Sequence, residues 1–133
     1  MPLGHLGVNV PDLPRAKAYY DDLMPLVAYA PFFATDDQVS YRPADDKPGT
    51  YVFLYQAQEP GAYSRHRAGL QHLAFMVQSR AAVHDVHRWA VAQGAEIVHE
   101  PREFPEYHPG YYATFWLDPH GFLLEVVCHR EPS

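Results

Sequence analysis

The stretch His5-Leu6-Gly7-Val8-Asn9-Val10-Pro11-Asp12-Leu13-Pro14 decides the fold, because its opening returns later in the chain as His72-Leu73-Ala74-Phe75-Met76-Val77. In both copies apolar residues fall at every second position, Leu6, Val8 and Val10, then Leu73, Phe75 and Val77, the pattern of a strand with one buried face. Asp12 then offers a side-chain acceptor to the free N–H groups of a new helix, and Pro14 fits its first turn. Ser79 can cap a second helix in the same way. Leu13, Ala16, Tyr20 and Leu23 recur at helical spacing until Pro25, which is expected to close the helix. In the second copy Ala82, Val83, Val86, Trp89 and Ala90 share one helical face, and Gly94 suits the left-handed position past its end.

Three strand-like segments follow each helix: Val27 to Phe33, Gln38 to Arg42 and Tyr51 to Gln58, then Ala95 to Glu100, Tyr111 to Leu117 and Phe122 to Cys128. Asp118-Pro119-His120-Gly121 reads as the turn between the last two, and the polar run from Ala44 to Gly49 as its counterpart. The order is βαβββ twice, at an offset of 67 residues (72 less 5) in a chain of 133. The expected class is therefore α+β, one domain over 1–133 with a first module at 1–58, a linker at 59–69 and a second module at 70–133.

Apolar residues make up 47% of the chain and charged residues 20%, close to the soluble average of roughly 45–50% and 25%, which argues against a disordered or fibrous protein. Sixteen acidic and ten basic residues leave a net charge of −6 with no Lys/Arg cluster, so neither nucleic acid nor an anionic membrane surface is an expected partner. No apolar run approaches the roughly 18–20 residues that span a bilayer. The lone Cys128 reads as a small core residue, and without a leader-like start a cytoplasmic location is expected.

Alternation also places the chemistry. His5 and His72 fall on the faces opposite their aliphatic neighbours, and Glu125 falls opposite Phe122, Leu124 and Val126, between Leu123 and Val127. A lone ionised carboxylate there costs several kcal/mol unless it is paired or bound to a cation. Two histidines and a carboxylate from three strands can form a 2-His-1-carboxylate set for a divalent ion such as Fe, Mn, Ni, Co or Zn. Hydrogen-bonded core histidines are the alternative. His84 and His87, three apart beside Asp85 and Arg88, read as a solvated helix face.

The segment His5 to Arg15 with Tyr19, Tyr20 and Leu23, the segment Gly69-Leu70-Gln71-His72-Leu73-Ala74-Phe75, and the closing run Tyr111 to Phe115 through Asp118-Pro119-His120-Gly121 to Leu124-Glu125-Val126-Val127 resemble the vicinal oxygen chelate superfamily. That superfamily holds glyoxalase I, fosfomycin-resistance enzymes, extradiol dioxygenases and bleomycin-resistance proteins. The resemblance spans essentially the whole chain. It implies two modules forming a curved mixed sheet around a cavity, with a homodimer as the expected assembly. It puts His5, His72 and Glu125 at metal-ligand positions, in a pocket lined by Asn9, Gln56, Tyr112 and Trp116. A metal-dependent enzyme acting on a small oxygenated substrate is the implied activity: a lyase, isomerase, ring-cleaving dioxygenase or transferase. A non-catalytic drug-sequestering protein is the alternative.

Glyoxalase I carries a carboxylate at the end of its first module, and the corresponding segment here ends Tyr55-Gln56-Ala57-Gln58, so its reaction is not expected. Arg42, Arg65, Arg67 and Arg102 are scattered and form no evident phosphonate cradle. His108 and Tyr112, with Tyr107 and Tyr111, lie in the Pro-rich approach to the seventh strand and are the candidates for proton transfer, each with packing at the pocket rim as its simpler role.

Overall fold

The computed structural model describes residues 3–130. The chain divides after Gly61 into two compact units. The first carries β1 (His5–Val10), α1 (Leu13–Leu23), β2 (Tyr29–Ala34), β3 (Gln38–Pro43) and β4 (Tyr51–Gln56). The second carries β5 (Leu73–Met76), α2 (Arg80–Ala92), β6 (Ile97–Glu103), β7 (Tyr112–Leu117) and β8 (Leu123–Cys128). Each unit holds one four-stranded mixed sheet, ordered β1-β4-β3-β2 and β5-β8-β7-β6. The first strand of each runs parallel to the last, and the other pairings are antiparallel. The chain is α+β, with the βαβββ order present twice.

Both helices start where their caps predict. Asp12 Oδ1 accepts the Arg15 N–H at 3.1 Å, and Ser79 Oγ accepts the Ala82 N–H at 3.1 Å. Gly94 takes φ +77° just past α2, the left-handed conformation that only glycine adopts without strain. The end of α1 differs from expectation. Pro25 does not release the chain into a strand but sits within a 3-10 turn, Met24–Val27, that Ala28 closes at φ 60°. Met24 and Val27 are buried there, and burying two such side chains, worth roughly 1.5–3 kcal/mol each, outweighs the bias against helical backbone before proline.

The edge strands also depart from the pattern. β6 runs to Glu103 and includes Pro101, with irregular register against β7. β2 likewise carries Pro31 beside a register shift. Both are outermost strands, where a proline lacking its N–H is tolerated and a bulge discourages pairing with another edge.

In the first unit Val8, Val10, Val39, Tyr41, Val52 and Leu54 form the buried face of the sheet, with Leu13, Ala16, Tyr20 and Leu23 of α1 as the buried stripe of the helix. The Tyr41 hydroxyl donates to Asp21 of α1 at 2.8 Å, and burial followed by that bond pushes the phenol well above its ordinary range. In the second unit β8 is buried along its whole length, an apolar run typical of a strand covered on both faces. Leu124, Val126 and Trp116 lie on the α2 side, while Phe104, Ala113, Phe115, Leu123 and Val127 form a smaller cluster opposite.

Gln56, expected in a binding pocket, instead joins β4 to the start of α1. Its Oε1 accepts the Leu13 N–H at 2.9 Å, and its Nε2 donates to the Pro11 carbonyl at 2.9 Å. It shares the face of Val52 and Leu54, so strand parity aims it at the helix. Replacing Gln56 with Ala removes both bonds and orphans a helix N-terminal donor. We expect a loss of about 1–3 kcal/mol, read as a lower urea midpoint at unchanged slope. Gln56→Glu keeps the Leu13 acceptor and should lose less.

Candidate metal centre

The parallel pairing of β5 with β8 sets Ala74 opposite Glu125, with His72 just before β5. Glu125 is 1% exposed and lies between Leu123 and Val127 with Phe115 as its cross-strand neighbour on β7. Three groups offset the cost of that burial. His72 Nε2 stands 3.2 Å from Glu125 Oε1, and the Tyr111 hydroxyl donates to Oε2. The third acts through the first: Gln71 Oε1 accepts from His72 Nδ1, which fixes the tautomer and turns the Nε2 lone pair toward the carboxylate.

Tyr111 immediately precedes β7 and keeps the parity of Ala113 and Phe115, so it reaches the Glu125 face. Burial, then the hydrogen bond to Glu125 and the charge behind it, pushes its phenol well above the ordinary range. The hydroxyl therefore stays protonated and donates. Four rings surround it: Tyr107 at 4.9 Å, His108 at 5.2 Å, His129 at 5.1 Å and Phe104 at 6.2 Å between centroids.

These groups open on a cavity of about 330 Å³ whose walls include His72, His99, Tyr107, Tyr111, Phe115 and Glu125. His99 reaches it because it pairs with Phe115 across β6 and β7, and its ring lies 5.4 Å from that of Phe115. Position in a strand-end segment had marked His99 only as exposed; its pairing with Phe115 is the signal that finds it. A larger concavity of about 580 Å³ is lined by Ile97 to Arg102 of β6 alone, and it gathers no converging donors.

Several expected site residues lie elsewhere. Tyr112 and Trp116 are one residue out of phase with Glu125: the Tyr112 hydroxyl meets His84 Nε2 of α2 at 2.7 Å, and Arg80 stacks on its ring at 4.6 Å. Trp116, fully buried opposite Leu124, shares that helix side. Thus neither Tyr112 nor Trp116 lines the cavity, and His84 is not on a solvated face. His108 directs Nδ1 at the Pro109 carbonyl at 2.8 Å and Nε2 at His129 Nδ1 at 3.0 Å, so it touches Tyr111 and not Glu125.

In the first unit His5 and Asn9 lie on the open face of β1 and are exposed. The register Gly7 with Phe53 repeats that of Ala74 with Glu125, so Phe53 occupies the place of the carboxylate. The counterpart of Glu125 is therefore Phe53, not the Gln56 to Gln58 segment. His5 meets the Phe53 ring edge-on at 5.2 Å where His72 meets a carboxylate.

His72 and Glu125 suit a divalent ion. Imidazole and carboxylate are fitting donors, and 3.2 Å is the spacing of two neighbouring ligands each about 2.1 Å from one ion. Each also carries the outer hydrogen bond that orients a ligand, from Gln71 and from Tyr111. Among the described residues no group of three His, Cys, Asp or Glu is gathered in one place.

Residues 3–126 match the profile of the Glyoxalase/Bleomycin resistance protein/Dioxygenase superfamily. An uncharacterized protein of Pseudomonas aeruginosa, PA2024, is 31% identical over 125 residues, covering 92% of this chain and 85% of its own. A glyoxalase/bleomycin resistance protein from Albidiferax ferrireducens superposes with a TM-score of 0.78 at 21% identity, over 96% of this chain and 99% of its own. The genomically encoded fosfomycin resistance protein FosX of Listeria monocytogenes does so at 0.68 and 17%, over 95% and 91%. A profile match over nearly the whole chain, on a twice-repeated βαβββ fold shared with those structures, places this protein in the glyoxalase/bleomycin resistance protein/dioxygenase superfamily.

Proposed function

We propose that the chain is a divalent-metal enzyme acting on a small oxygenated substrate, with His72 and Glu125 as two ligands and His5, of the same chain or of a second copy in a homodimer, as the third. The observation that carries this is the placement of His72 Nε2 at 3.2 Å from the buried Glu125 Oε1, each group oriented by an outer hydrogen bond. A metal held there supplies Lewis acidity to substrate oxygens. The protein's own residues supply the rest. Gln71 holds the proton on His72 Nδ1 and so keeps Nε2 free, Tyr111 holds its proton against Glu125 Oε2, and Phe115 and Leu123 limit water on the inner wall. The His99 imidazole, on the same wall and outside the ligand set, is placed to accept or return a substrate proton. Phe53 in the place of a first-unit carboxylate argues against the glyoxalase I reaction.

Untagged protein should carry about one divalent ion per chain by elemental analysis. Glu125→Gln and His72→Ala should each lose it, and His5→Ala should weaken it. Wild-type protein that takes up no divalent metal, or a triple alanine variant that binds as well as wild type, overturns the proposal.

One observation favours the sequestering alternative: the first unit exposes Phe32 and Phe33 at 43% and 42%, with Tyr51 and Phe53 in ring contact. Thermal shift separates the two readings. Divalent ions should raise the melting temperature in proportion to their affinity, whereas stabilisation by aromatic drugs and by no metal would support sequestration.

A further inference from the structure

We infer that Tyr111 is a positioning residue that makes Glu125 a one-oxygen ligand. The inference rests on the metal-binding role proposed above for Glu125. A carboxylate can offer an ion both oxygens, and doing so uses a coordination position that a substrate chelating through two oxygens needs. In this protein the two oxygens are already assigned. Oε1 faces His72 Nε2 at 3.2 Å, whereas Oε2 receives the Tyr111 hydroxyl. With Oε2 committed, Oε1 alone is free to bind on the His72 side.

The hydroxyl is aimed by its surroundings. The Tyr111 ring is boxed by Phe104, Tyr107, His108 and His129, which leaves little freedom of rotation about χ1. The histidine side of the box is itself braced. The His108 and His129 rings lie at 24° to each other with centroids 5.3 Å apart and Nε2 to Nδ1 at 3.0 Å, so they meet nearly coplanar and end to end. That is the geometry of an N–H···N hydrogen bond; ligands of one ion would instead converge at an angle. His108 Nδ1 lies 2.8 Å from the Pro109 carbonyl and donates to it, so the shared proton belongs to His129 Nδ1 when both rings are neutral. The brace ties the segment preceding Tyr111 to the end of β8, four residues past Glu125. Gly110, at φ +85°, admits this approach, since a Cβ there would stand 3.4 Å from the His129 carbonyl.

Cobalt(II) binding to the apoprotein tests the assignment through affinity and through the visible d–d spectrum, which reports coordination number. In Tyr111→Phe, Oε2 is released: affinity should fall by about 10-fold or more, and the cobalt bands should change intensity as the carboxylate swings or chelates with both oxygens. His108→Ala, which opens the box but keeps the hydroxyl, should give a smaller loss of affinity in the same direction. Tyr41→Phe, which removes a different buried tyrosine hydrogen bond, should lower the melting temperature and leave both readouts unchanged. Wild-type affinity and an unaltered spectrum in Tyr111→Phe overturn the positioning role alone. Wild-type protein that binds no cobalt overturns the metal site and this inference together.

Discussion

An ionised carboxylate on the apolar face of a sheet is tolerated only when donors or a cation replace its lost water, and Glu125, at 1% exposure between Leu123 and Val127, imposes that condition on the second unit. Each neighbouring element contributes to meeting it. The segment before β5 brings His72, with Gln71 behind it; the segment before β7 brings Tyr111; the end of β8 brings His129 to brace that tyrosine. Removing one partner would leave charge or donor unpaired in a low-dielectric site, which makes the group energetically interdependent.

The two units show what one topology permits. Equivalent register sets Gly7 against Phe53 and Ala74 against Glu125, so a single difference of side chain gives one unit an aromatic wall beside its histidine and the other an acidic one. The first unit then needs no outer shell of donors on that face. Its buried polar investments go instead into joining helix to sheet, through Gln56 to Leu13 and Pro11 and through Tyr41 to Asp21. The aromatic contacts around Phe53 and the donor network around Glu125 are two outcomes of the same strand geometry.

Strand parity governs how much of the site is legible from residues. His72 and Glu125 stand in strands with unbroken alternation, which ends in a clear open face, so their orientation follows from spacing. Tyr111 and Tyr112 follow the irregular segment from Phe104 to Gly110, where alternation carries no phase. Only the register of Tyr112 with Cys128 shows that Tyr112 turns to α2 and Tyr111 to Glu125. The same difficulty attends His99, on a bulged edge strand, and Gln56, whose partners lie more than forty residues away in sequence.

By itself the sequence determined the local and periodic features: the repeat at 67 residues, both helix caps, the Asp118 to Gly121 turn, the two-module class and the shared character of His72 and Glu125. These follow from short-range rules, in which a residue's neighbours set its backbone and a period of two sets its face. Tertiary structure alone decided which tyrosine meets the carboxylate, which residue stands at its counterpart in the first unit, and that His84 and Gln56 serve as packing joints. Each of those depends on strand register and on hydrogen bonds between distant segments. Those pairings are set when sheet and helix close together, and no local pattern records them.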